Sequence, residues 1–341
     1  MKGRLIALDH LHGHEAAALL VDGRLEDLFL DSDAPRPGAI YRAIADRPVK
    51  GQGGMFLRTP DGPAFLRQVK GLSPGQPILV QVTGYPEAGK ALPVTAKVLF
   101  KSRYAIVTPD APGLNVSRSI RDDDRRDALL AIAHSEMGKA GMGLILRSSC
   151  ADAPDAEIAE DIRAMHDLAL AVTSDTTGAD PEKLTEGDGP HALAWREWTA
   201  PAEVDTADES FAAHGVLDAI DALCRPDAPL PAGASIAVEP TRALIAVDVN
   251  TGGDTSPAAG LKANLAAARE LPRQLRLRGL GGQVVIDLAP MPKKDRRQFE
   301  TTLRAAFRTD IVETTLVGWT PLGHFELQRK RDRIALNEVT T

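Results

Sequence analysis

Residues 245–254 read IAVDVNTGGD. Apolar and other residues alternate, which predicts a strand with Ile245, Val247 and Val249 on one face. Ala246, Asp248 and Asn250 then share the opposite face, so the strand ends by aiming a carboxylate and an amide at one place. The next segment, AGLKANLAAARELPRQLRLRGLGG (259–282), predicts a helix. Leu261, Leu265, Ala268, Leu271 and Leu275 mark its apolar stripe, with Arg269, Arg273 and Arg276 alongside. Pro272 should bend or weaken it, and Gly279, Gly281 and Gly282 should end it. QVVIDLAPM (283–291) predicts a second strand, which carries Asp287.

The order is strand–helix–strand. If the strands are parallel neighbours, the crossover is right-handed and both C-terminal ends reach one edge of the sheet. Asp248 and Asp287 would then meet where α/β proteins place their sites. Paired carboxylates repel unless a cation lies between them or one is protonated. Hard oxygen ligands favour Mg²⁺ or Mn²⁺, and such an ion can activate water and stabilise charge on a phosphate. The plainer alternative is that both aspartates only cap helices or form turns.

The rest of the chain sets the frame. It has 341 residues, more than one ordinary domain needs, and is 43% hydrophobic but only 4% aromatic. Its cores must therefore be aliphatic. A formal charge of -7 argues against a generally basic surface, though a local basic groove is compatible with it. Cys150 and Cys224 form no CxxC pair, so neither a disulfide framework nor a sequence-local zinc site is expected. No segment reads as a membrane span or a signal peptide, and a cytoplasmic protein is expected.

Residues 4–9 and 16–31 predict strands, with Asp22–Gly23 as a hairpin turn. Short strands at close spacing from 38 to about 99 suggest a small barrel or sandwich. DDRRDALLAIAHSEMG predicts a helix, between strands YAIVTPD and GLILRSS. DAEIAEDIRAMHDLALAVTSD predicts an amphipathic helix through Ile158, Ile162, Met165, Ala169 and Val172. Residues 174–210, rich in Thr, Asp, Gly and Pro, read as loop, followed by a helix through GVLDAIDALC. In DHLHGHE, alternation would put His10, His12 and His14 on one strand face with Glu15 nearby, a candidate transition-metal cluster. A solvated loop is the bland alternative. RDDDRRD (121–127) reads as a solvated helix start.

Three stretches, AVDVNTG, NLAAARELPRQLRLRGLGGQVVIDL and GHFELQRKR, resemble in order the catalytic core of the ribonuclease E/G family. Weaker likeness reaches back over nearly all of the chain. GAIYRA resembles the family's entry into its barrel, and RYAIVTPDAPGLNVSRSI and GLILRSS its 5′-end sensor. The resemblance implies a multi-subdomain α+β fold. An RNase H-like subdomain (1–36 and, partly as loop, 176–223) would carry an inserted OB-fold RNA-binding barrel (37–100) and a 5′-sensor (101–175). A DNase I-like α/β catalytic subdomain (224–341) would follow.

The implied activity is endonucleolytic cleavage of single-stranded RNA with Mg²⁺ held by Asp248 and Asp287 and supported by Asn250. Arg147 and Ser148 match the family's sensor of a 5′-monophosphate. Phe65 and Lys90 match RNA-contacting barrel positions, with Met55 or Phe56 at a further aromatic position, and Arg273 and Arg276 count among the candidate RNA contacts. Several positions depart from the family pattern. Thr241–Arg242–Ala243 stands where the family has Thr-Glu-Ala, Pro290 stands in place of an acid, and Glu313 in place of a basic residue. The family's zinc-binding cysteine pair is not among these residues, so no structural zinc is expected. The alternative from a different class is a noncatalytic RNA-binding protein that keeps this scaffold; a subunit that needs a partner to complete its site is a third. Monomer and homodimer are both compatible with the sequence.

Overall fold

The computed structural model describes residues 3–49, 51, 53–138, 141–256 and 258–339. They form two compact units, one of residues 1–32 with 201–341 and one of residues 33–200.

In the second unit, five strands close into a barrel: Ile40–Val49, Gly54–Thr59, Gly62–Leu66, Pro77–Val82 and Leu92–Thr95. Closure comes from Ile40–Val49, which pairs antiparallel with both Gly54–Thr59 and Pro77–Val82. Alternation fills the barrel: Met55, Leu57, Ala64, Leu66, Val80, Val82, Leu92 and Val94 point inward and are buried. Beside it lies a four-stranded sheet in the order Gly113–Val116, Gly143–Leu146, Ala105–Thr108, Phe100–Lys101. Helices Asp123–Met137 and Asp155–Ser174 belong to the same core. The stripe expected on the second helix is buried at Ile158, Ile162, Ala169 and Val172, with Met165 partly so. RDDDRRD is indeed a helix start: the Asp122 side chain accepts from the Arg125 N–H at 2.7 Å, and Asp123 and Asp124 sit in the first turn.

Residues 174–210 are more ordered than a loop. Glu182–Thr185 adds an antiparallel strand to Ile40–Val49, and Pro190–Glu197 is helical. Residues 176–200 therefore pack with the barrel unit, whereas the sequence reading grouped them with the N-terminal segment. The composition is strand-poor, but the pairing partner lies some 140 residues away and no local pattern reveals it.

In the first unit, Arg4–Leu11, His14–Val21 and Arg24–Leu30 form a meander, with Glu203–Asp205 added parallel to the first strand. Asp22–Gly23 makes the expected two-residue turn, both residues at positive φ. His12–Gly13 makes another, with φ of 52° and 87°. The three histidines therefore do not share a strand face. His10 lies on one strand, His12 in the turn and His14 on the return strand. No group of three or more His, Cys, Asp or Glu side chains among the described residues is arranged to hold a metal ion.

The remainder of this unit is a six-stranded mixed sheet. Its order is Asp227–Pro229, Ser235–Pro240, Ile245–Asn250, Gly282–Asp287, Phe325–Arg329, Thr314–Trp319. Helices Ala259–Leu277 and Arg296–Arg308 contribute to its core, the latter through Phe299, Leu303 and Phe307. The long helix buries Leu271 and Leu275 as expected, each worth about 1.5–3 kcal/mol. In its first turns Ala263, Asn264 and Ala267 are buried, and Leu261 and Leu265 only half so. Small residues let the helix approach closely: a Cβ on Gly260 would lie 1.9 Å from the Pro290 carbonyl oxygen. The helix continues through Pro272. No helix among the described residues is long and apolar enough to cross a membrane.

Candidate active site

Ile245–Asn250 and Gly282–Asp287 are parallel neighbours, and Asp248 is the register partner of Asp287. Adjacent strands lie about 4.8 Å apart, so the two carboxylates stand side by side at the C-terminal edge. Both residues are exposed; the Asp287 side chain retains 66% of its accessibility. Asn250 Nδ2 donates to Asp248 Oδ2 at 2.8 Å, which fixes one oxygen and leaves the other open. His324 comes from the turn before Phe325–Arg329, with its Nδ1 3.2 Å from Asp287 Oδ1 but outside hydrogen-bond geometry. The turn is held by Thr320, whose Oγ1 accepts from the His324 N–H at 3.1 Å.

The chain after Asp287 is pinned from the long helix. Asn264 is fully buried; its Nδ2 donates to the Ala289 carbonyl at 2.8 Å, and its Oδ1 accepts from the Ala289 N–H at 3.0 Å. This amide pair sets where the strand exits beneath the carboxylates. The sequence signal for Asn264 was a polar residue on a buried stripe, and for His324 its place in the GHFELQRKR stretch.

Neither Asp248 nor Asp287 has a Lys or Arg partner among the described residues. Two neighbouring carboxylates without a compensating cation suit a hard divalent ion. Mg²⁺ in particular uses one or two carboxylates and leaves its other positions to water and phosphate oxygens. Among the described residues no group of three or more acidic, histidine or cysteine side chains is arranged around a common point here, although His324 stands beside Asp287, and a carboxylate pair of this kind suits an open site better than a closed protein cage.

Arg273 and Arg276, counted among the RNA contacts, are instead occupied within this unit. Arg273 donates through Nε to the Leu25 carbonyl at 2.8 Å and through Nη1 to Glu270 at 2.6 Å. Arg276 bonds the Glu26 carbonyl at 2.7 Å and pairs with Asp27 and Asp310. Both tie the long helix to the Arg24–Leu30 strand. Their partners are nearly 250 residues away in sequence, so helix periodicity could not show the pairing.

In the barrel unit, Phe56 and Phe65 are cross-strand partners on the outer face, ring centroids 5.3 Å apart. Arg47 stacks over Phe56 at 5.3 Å. Met55 is buried in the barrel, so of the two alternatives Phe56 is the one that faces outward. Lys90 is exposed on the loop before Leu92–Thr95 and pairs with Glu87. Half-exposed rings flanked by arginine can stack on any base.

Arg147 ends the Gly143–Leu146 strand and Ser148 opens the short turn that follows. Arg147 is largely spent: Nη1 donates to the carbonyls of Ser102, Arg103 and Arg196, and Nη2 to Glu197 at 2.6 Å. Burial alone would push the Glu197 carboxyl up, but Lys101, Arg147 and Arg196 outweigh it and hold it at about 2. The Lys101 ammonium is pulled down by burial in spite of Glu197. The two shifts differ because one carboxylate is shared among three cations. The donors with which Arg147 would meet a 5′-monophosphate are thus engaged by a carboxylate and carbonyls.

Comparisons with known proteins place the chain among ribonucleases of one family. The chain is 28% identical to ribonuclease E of Synechocystis sp., over 96% of this chain and 57% of the relative. It is 28% identical to ribonuclease E of Escherichia coli K12, over 78% of this chain and 29% of the relative. With ribonuclease G of Escherichia coli K12 it shares 27% identity over 78% of this chain and 62% of the relative. It spans about half the length of the cyanobacterial relatives. The model of the ribonuclease E/G family matches residues 100–205 and 195–332, and the chain belongs to that family.

Proposed function

We propose that the chain is an Mg²⁺- or Mn²⁺-dependent endoribonuclease that cuts single-stranded RNA in the cytoplasm. The observation that carries this reading is the register pairing of Asp248 with Asp287, with Asn250 bonded to Asp248 and no Lys or Arg paired with either acid among the described residues. On this reading Asp248 and Asp287 hold the ion, which when bound supplies an activated water and charge stabilisation at the phosphate. Asn250 keeps the Asp248 carboxylate oriented. Asn264 fixes the strand exit that presents Asp287. The Phe56–Phe65 face holds bases of an unpaired strand by stacking, which suits a channel of low sequence preference. The meander would correspond to the family's RNase H-like subdomain, the barrel to its OB-fold, and the six-stranded sheet to its DNase I-like subdomain.

Sensing of a 5′-monophosphate by Arg147 and Ser148 has weaker support, because a phosphate must first displace Glu197. If it does, Glu197→Gln should strengthen any preference for 5′-monophosphorylated over 5′-hydroxyl RNA.

The test is an A/U-rich single-stranded RNA with a 5′-monophosphate, incubated with and without Mg²⁺. Cleavage should require the metal. Asp248→Asn and Asp287→Asn should abolish it with the fold intact, since both positions are exposed. Undiminished cleavage by both variants would refute the assignment. RNA binding without cleavage under any divalent ion would make the protein a noncatalytic binder.

A further inference from the structure

The exposed face of the Arg296–Arg308 helix carries cations that the fold leaves unused. Lys293 and Lys294 precede it, and Arg297, Arg304 and Arg308 follow along it; all five are exposed. None of the five side chains has a hydrogen-bond or ion-pair partner among the described residues. Residues 293–308 hold six cations and two acids in a chain whose net charge is -7. Of the acids, Glu300 is occupied by the Trp319 indole N–H at 2.5 Å. The sixth cation, Arg296, stacks on Trp319 at 4.2 Å.

Stability of the helix does not explain this pattern. Cations in a first turn oppose the helix dipole, and Arg304 with Arg308 is a like-charge pair at i, i+4. Only Arg308, in the last turn, is favourably placed on its own. The location is informative. The helix follows directly on the strand exit that presents Asp287. Arg296 reaches the turn at Gly323, where an added Cβ would lie 3.2 Å from its Nη2. The neighbour in that turn is His324, which touches Asp287. From Arg297 to Arg308 the helix rises about 16 Å, a row of positive charge leading away from the carboxylate pair.

We infer that this helix face is a phosphate track that holds the RNA backbone on one side of the cleaved bond. The inference rests on the proposed endoribonuclease reading. A divalent-ion site brings the scissile phosphate to two acids, and a polyanion approaching them needs compensating charge close by.

The experiment measures binding alone. Fluorescence anisotropy of a labelled single-stranded RNA is recorded in EDTA, where the proposed chemistry is silent, over a series of KCl concentrations. Each phosphate contact contributes about 0.7 to the slope of log affinity against log salt for a single strand. The triple variant Arg297→Gln/Arg304→Gln/Arg308→Gln should lower the slope by about 2 and bind roughly a hundredfold more weakly at 0.1 M salt. Its circular dichroism and melting temperature should match the wild type, because the residues are exposed and unpaired. A control triple of exposed cations in the same unit, Arg225→Gln/Arg269→Gln/Lys330→Gln, should leave the slope nearly unchanged. A single-stranded DNA of the same sequence should lose affinity in parallel with the RNA, since the track reads phosphates. If the helix triple binds like the wild type, or the control triple loses as much, the track is wrong and the endoribonuclease reading stands. If the wild type binds no RNA at any salt concentration, both fail together.

Discussion

Replacing Asn264 by alanine should loosen the strand exit that presents Asp287. The side chain makes two hydrogen bonds to one residue, at 2.8 and 3.0 Å, and both ends are buried: Asn264 is 0% and Ala289 5% exposed. Alanine removes both bonds and strands a buried N–H and a buried carbonyl. Each stranded group costs about 1–3 kcal/mol. Pro290 beside them is exposed, so water can enter the space and relieve part of the penalty. The expected loss is about 3 kcal/mol from the first unit. Two units make global unfolding unsafe to treat as one transition, so the readout is hydrogen exchange of a peptide over 285–291. Its protection should fall by about a hundredfold while barrel peptides keep theirs. Asn264→Asp supplies a sharper control. The new carboxylate still accepts from Ala289 N–H but faces its carbonyl oxygen, which favours the protonated form. That raises its folded pKa, so the damage should shrink as pH falls through that value. Wild-type protection in Asn264→Ala, or a pH-independent Asn264→Asp, would refute the argument.

Asp310 and Arg329 are a buried pair, Nη1 to Oδ2 at 2.9 Å, with Arg329 only 1% exposed. Asp310→Ala removes the carboxylate paired with both Arg329 and Arg276, leaving Asp332 as the acid facing Arg329, and should destabilise the first unit by about 3 kcal/mol in urea unfolding. Glu197, held at about 2, contributes stability that is complete above its ordinary range near 4.5 and is lost as pH falls toward 2. Acid unfolding of the barrel unit should show this loss, on the order of 2–3 kcal/mol, and Glu197→Gln should flatten it. Burial pushes the Cys150 thiol up to about 11, so native protein at pH 8 should give one fast-reacting thiol, at exposed Cys224, and Cys150 should react only on unfolding.

What was legible in the sequence was whatever depends on local period. The alternation at 245–250 put Asp248 and Asn250 on one face, and the observed 2.8 Å bond between them is a direct consequence of that two-residue spacing. The connection through one helix then made parallel pairing the simple solution, and the register sets Asp287 opposite Asp248. What was not legible depends on partners remote in the chain. Arg273 and Arg276 look like an open basic stripe until the Arg24–Leu30 strand covers them. The Glu182–Thr185 strand exists because Ile40–Val49 offers it an edge. The histidine run failed for a local reason, the turn at His12–Gly13.

These cases separate two kinds of arginine that one sequence pattern cannot tell apart. A guanidinium has five donors and becomes structural when carbonyls and carboxylates claim them, as with Arg147, Arg273 and Arg276. It stays available to a ligand when nothing claims them, as with Arg297, Arg304 and Arg308 among the described residues. Desolvation makes the distinction functional. A phosphate arriving at Arg147 must compete with Glu197 for a half-buried donor, whereas at Arg304 it displaces only water and counterions. RNA grip on the first unit should therefore follow the unclaimed cations of the Arg296–Arg308 helix. Substitution of Arg273 should be felt mainly as lost stability, because its removal takes away the donors to the Leu25 carbonyl and one of the partners of Glu270, which keeps Arg24 and Gln274.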